Sequence, residues 1–141
     1  MSESTATVKM YLNQLRTLEA VISARKRQLD RLRRERVYIS GVRYDKDTVQ
    51  SGDVADPNRA SDRLLDLELE IARKVETAVG IRENIIREVE RLDNPLYVSL
   101  LLRRYVDGMR FEEIACEMGY SYGHVTHLHG EALQAFGRLK G

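Results

Sequence analysis

Apolar residues recur at Val8, Tyr11, Leu15, Leu18, Ile22, Leu29 and Leu32, and steps of three, four or seven residues place them along one stripe of a helix. Only Arg25 interrupts the seam, so the pattern predicts a single long helix over Val8–Leu32. Gly41 and the stretch QSGDVADPN then break the periodicity, which makes Val37 to Pro57 a connector with an extended start at VYISGV. A second stripe follows at Leu64, Leu67, Ile71, Val75, Ala78, Ile81, Ile85, Val89 and Leu92, predicting another long helix whose weak point is Gly80. Two such helices fold back as a coiled-coil-like antiparallel hairpin that buries both stripes, with room for a second copy outside.

The third section opens with RLDNPLYVSL, in which Asp93 or Asn94 suits a helix cap and Pro95 a first turn. Leu100, Leu101 and Tyr105 form an inward stripe, and Gly108 can end that helix in the left-handed conformation. From Phe111 onward Ile114, Ala115, Met118, Gly119, Tyr120, Val125 and Leu128 fit one register of a helix-turn-helix. Ala115 is small where two helices cross, Gly119 accepts a positive φ, and the larger apolar residues fill the wedge. Ser121 is placed to cap the second helix. The reading is therefore all-α: residues 1–93 as the hairpin and 94–141 as a helix-turn-helix domain with three helices after Asn94.

Composition narrows the class. In 141 residues, 32% are charged, 43% hydrophobic and two are proline, which fits a soluble, mostly helical chain of one or two small domains. The N-terminus MSESTATVKM lacks a signal-peptide pattern and no window of eighteen uncharged apolar residues occurs, so a cytoplasmic protein with no membrane partner is expected. A lone Cys116 excludes an internal disulfide, and its neighbours Ile114, Ala115 and Met118 point to a buried thiol. No phosphate-cradling glycine loop or nucleophile–base pair is readable, so neither an enzyme nor a cofactor is expected. His124 and His127 are three apart, but His129 points elsewhere and no carboxylate or second Cys completes a metal set. Histidines facing solvent or a DNA groove are expected instead.

Charge is uneven although the formal net charge is only +1. Arg25, Lys26, Arg27, Arg31, Arg33, Arg34 and Arg36 stand against Asp30 and Glu35, a local excess of five positive charges. In a hairpin this arm faces Asp62, Asp66, Glu68 and Glu70, so pairing within the hairpin and contact with phosphate both remain open. A docked helix-turn-helix would turn Ser121, Tyr122, Gly123, His124, Thr126 and His127 to base edges in the major groove. Those residues carry no permanent positive charge. Arg103, Arg104 and Arg110, with Arg138, Lys140 and the arm, are then the sources of salt-sensitive phosphate contact.

The stretch LLLRRYVDGMRFEEIACEMGYSYGHVTHLHGEALQAF resembles the C-terminal helix-turn-helix of small phage and prophage proteins similar to region 4 of sigma-70 factors, including ArpU- and RinA-type late-transcription regulators. The upstream helix, the connector with VQSGDVADPNRASDRLLDLELEI and the second long helix resemble the same group. The resemblance implies an all-helical transcription regulator of phage or mobile-element genes in a bacterial host, with Phe111–Met118 as support helix and Ser121–Phe136 as recognition helix. Basic residues commonly stand in that group where this chain has Gly123 and His127. Double-stranded DNA, host RNA polymerase and a second copy bound through the long helices are the implied partners. Two alternatives stay open: a packaging or scaffold component resembling a small-terminase oligomer, and a module that docks on RNA polymerase without reading DNA.

Overall fold

The computed structural model describes residues 4–43 and 57–140, and all regular structure among them is helical. Helix α1 (Thr5–Leu12) opens at Ser4, whose Oγ accepts the Thr7 N–H at 3.2 Å. Asn13 then interrupts the predicted single helix, and α2 (Gln14–Arg43) begins at the next residue. The interruption is slight: the Asn13 N–H bonds the Lys9 carbonyl at 2.9 Å and its own carbonyl accepts the Thr17 N–H at 3.0 Å. Asn is a poor helix former because its short amide competes for backbone groups, which explains why the break falls there.

A second correction concerns the connector. Residues 37–43 continue α2 instead of starting an extended strand. Each residue added to an existing helix gains a hydrogen bond, and that propagation outweighs the low helix propensity of Val37, Ile39 and Gly41. The rest of the predicted connector, 44–56, lies outside the described residues. Helix α3 (Pro57–Val89) has proline at its first position and runs through Gly80 without a break.

The chain divides into two compact units: α1, α2 up to Leu18, α3 from Ala78 and all that follows form one, and Glu19–Thr77 the other. In the second unit Leu29 of α2 packs with Leu64, Leu67 and Ile71 of α3, and half-buried Leu32 adds to the cluster. Arg25 pairs with Glu70 at 3.3 Å and Arg33 with Glu68 at 3.6 Å. Two members of the predicted basic arm are thus held within the unit. Such solvent-exposed pairs contribute at most about 1 kcal/mol each, so they select register more than they stabilise.

In the first unit α4 (Pro95–Tyr105) starts at Asn94, whose Oδ1 accepts the Leu96 N–H at 2.9 Å. Between the two predicted caps, the structure uses Asn94. Leu100, Leu101 and Tyr105 are buried, and Gly108 adopts φ 72° just past the helix end. Helices α5 (Phe111–Met118) and α6 (Tyr122–Lys140) complete the chain. Leu100, Ile114, Ala115, Val125 and Leu128 form the core that joins α4, α5 and α6.

Helix α1 packs on the C-terminal half of α6, with the Tyr11 and Phe136 rings stacked at 6.2 Å. Glu88 of α3 closes this contact, accepting from the Tyr11 hydroxyl and from Lys140 Nζ at 2.9 Å. Burial alone would raise the Glu88 carboxyl, but these two hydrogen bonds and the Lys140 charge outweigh it and leave the group below its ordinary range.

Candidate nucleic-acid interface

Helix α5 is anchored at Arg110. Its backbone N–H donates to Glu113 Oε1 at 2.9 Å and its Nε reaches the same oxygen at 3.3 Å. The backbone bond first, and the side-chain bond after it, hold Glu113 below its ordinary carboxylate range. The helix turns Ile114 and Ala115 inward and stops at Gly119, with φ 73° and ψ 29°, where the Ala115 carbonyl accepts from the Gly119 and Tyr120 N–H groups. A left-handed residue there turns the chain, and α6 begins three residues later at Tyr122. Ser121 Oγ then accepts the His124 N–H at 3.1 Å and caps α6.

This local geometry decides which side chains of α6 face out. Val125 and Leu128 are buried, while Ser121, Tyr122, Gly123, His124 and His127 are exposed. Tyr122 is 53% exposed, high for a large aromatic. Thr126 is half-buried, and its hydroxyl donates to the Gly123 carbonyl at 2.9 Å. The His124 ring stands edge-on to Tyr120 at 4.6 Å, and His127 Nε2 lies 3.7 Å from Glu131 Oε2. Tyr122, His124 and His127 therefore offer ring donors, acceptors and faces on one end of α6.

The three arginines ahead of this end differ in what they hold. Arg103 donates from Nε to Ser99 Oγ at 3.1 Å and pairs with Glu117, linking α4 to α5. Arg104 donates to the Met109 carbonyl at 3.0 Å and lies 4.3 Å over the Phe111 ring. Desolvation there lowers its pKa, and its contacts with Met109 and Phe111 brace the α4–α5 turn. Only Arg110 turns most of its side chain, 72% exposed, to solvent, while still touching Glu113. Arg138 is exposed, whereas Lys140 is tied to Glu88 and sits 4.0 Å over Tyr11.

Two sequence expectations are overturned here. His129 faces neither solvent nor a groove: it is 7% exposed, shares a 2.7 Å hydrogen bond with the Tyr105 hydroxyl, and meets Phe111 edge-on at 4.8 Å. Burial first, and the Lys9 and Arg104 charges after it, push His129 down to about 4, while burial raises Tyr105 to about 12. The signal was present in the spacing, since Val125, Leu128, His129 and Ala132 share one face of a helix. Cys116, expected to be buried, is exposed. Ile114, Ala115 and Met118 define the inner face of α5, and position 116 falls on the opposite side at about 100° per residue.

Among the described residues no group of three His, Cys, Asp or Glu could hold a metal ion, and no helix is long and apolar enough to cross a membrane. Comparison with protein-family models, curated proteins and solved structures found no match.

Proposed function

We propose that α5, the Gly119 turn and α6 act as a helix-turn-helix that binds double-stranded DNA, and that the chain regulates transcription of phage or mobile-element genes. The observation that carries this reading is the outward end of α6: Tyr122, Gly123, His124 and His127 are exposed together, while Ala115, Val125 and Leu128 beneath them are buried. A helix end presented on a packed three-helix core is the shape that enters a major groove. Its polar rings can read base edges, and Arg110 supplies positive charge beside that end for phosphate contact, with exposed Arg138 at the opposite end of α6. In this reading the long helices α2 and α3 form an antiparallel hairpin, supported by the Arg25–Glu70 and Arg33–Glu68 pairs.

The scarcity of permanent charge on the exposed end of α6 makes binding moderate in strength and its salt dependence shallow. A fluorescence-anisotropy titration with duplexes from the DNA flanking the gene, run at low and physiological salt, tests the proposal. Saturable binding that weakens with salt supports it, and failure to bind at low salt removes it. The same scarcity favours one second reading, a packaging or scaffold component in which DNA contact is secondary, and a ring-sized mass in solution would select it.

A further inference from the structure

Helix α3 carries an apolar stripe that the described residues of its own unit leave exposed. Leu64, Leu67 and Ile71 turn into the cluster around Leu29, but Leu65 is 56% exposed, Leu69 46% and Val75 38%, with exposed Ala72 between them. These four residues are four, three and three apart, so they form a continuous band beside the buried one. Leucines at that exposure on consecutive turns are unusual on a free helix, because each leaves apolar area in water at about 25 cal/mol per Å².

Charges along the band choose its occupant. Asp66 and Arg73 are exposed and line one shallow groove with Leu69 and with Leu32 of α2. They lie seven residues apart on the same edge, and reversing the helix exchanges them. When two copies of α3 are laid antiparallel about a two-fold axis at the level of Glu70, Asp66 of each faces Arg73 of the other. The same registration sets Leu65 against Val75 and Leu69 against Ala72, large opposite small. A parallel two-fold pair would instead carry the Asp66–Arg73 edges of the two copies to opposite sides of the seam, where they cannot meet. The Asp66–Arg73 edge is therefore complementary to itself in the antiparallel orientation.

We infer that this face of α3 binds a second copy of the chain, antiparallel, with Leu65, Leu69, Ala72 and Val75 as the apolar seam and Asp66–Arg73 as reciprocal ion pairs. The interface does not depend on DNA binding, and its test contains no DNA.

The test is the mass of the full chain in solution by light scattering and sedimentation, across about 1–100 μM, the range expected for a small interface. The wild type gives twice the 16.3 kDa chain mass. Leu69→Glu shifts the dissociation constant by more than about tenfold toward monomer, because it places a carboxylate in the seam. Asp66→Arg and Arg73→Asp each weaken the dimer by juxtaposing like charges, and the double variant D66R/R73D regains it. Circular dichroism confirms that each variant keeps its helices, and the charge variants decide the matter should Leu69→Glu lose its fold. A monomeric wild type at every concentration overturns the inference. So does a dimer or larger ring that is indifferent to the charge swaps.

Discussion

His129 gives the structure a pH dependence whose size can be worked out. The ring is buried against Tyr105 and Phe111 and its pKa is depressed from 6.5 to about 4, so the unfolded chain binds this proton more tightly than the folded one. A depressed histidine contributes stability that is complete above 6.5 and is lost as pH falls from there toward the folded value. Between about pH 7.5 and about pH 5 the linkage relation gives a loss of about 2 kcal/mol, and about 3 kcal/mol by about pH 4. The perturbation is His129→Gln, which keeps a hydrogen-bonding side chain next to the Tyr105 hydroxyl but does not titrate. Urea unfolding of both proteins, followed by far-ultraviolet circular dichroism at the two higher pH values, isolates the contribution: the wild type loses about 2 kcal/mol more than the variant. Carboxylates such as Glu88 and Glu113 titrate in both proteins and cancel in the difference. Equal pH slopes for wild type and H129Q would refute the assignment of His129 as a neutral, buried ring.

Other outcomes follow from single residues. Gly119→Ala destabilises by about 1–2 kcal/mol through the left-handed backbone alone, since a Cβ there would meet nothing within 4 Å, and Gly119→Asn costs less; chemical unfolding measures both. Asn94→Ala removes the side-chain acceptor for the Leu96 N–H and costs about 1 kcal/mol by the same assay. Cys116 reacts with a thiol reagent in the folded protein at the rate of an unfolded control, and Cys116→Ser changes stability by less than about 0.5 kcal/mol. Tyr122→Ala and His124→Ala weaken DNA binding with no loss of helix content, whereas Arg104→Ala lowers stability, because its guanidinium is held by the Met109 carbonyl and Phe111.

The apolar spacing made the helical class legible, because buried residues on a helix must recur near 3.6 whatever their partners are. Caps and turns were legible where one residue type is required: Gly119 and Gly108 take positive φ, and Asn94 and Ser121 accept the N–H groups at helix starts. Less legible was anything set by a partner distant in sequence. The packing of α1 on α6 depends on Tyr11, Glu88 and Lys140 meeting, and no local pattern announces that three such residues converge. Asn13 and the extension of α2 to Arg43 were missed because a stripe reports which face is buried, not where hydrogen bonding pauses or stops. Cys116 and His129 were misplaced by chemistry-first reasoning, although helical phase alone put the thiol outside and the imidazole inside. On α6 the sequence placed Ser121, Tyr122, Gly123, His124 and His127 outward, where the structure has them, while Thr126 is half-buried; it did not announce that Arg103 and Arg104 are engaged within the fold.

An amide-resolved NMR titration with a duplex from the flanking DNA reads out whether the outward end of α6 meets DNA. Signals of Tyr122, Gly123, His124, Thr126 and His127 are expected to move first and furthest, with Arg110 following. Shifts confined to Arg25–Arg36, or none in α6 at saturating duplex, would contradict it.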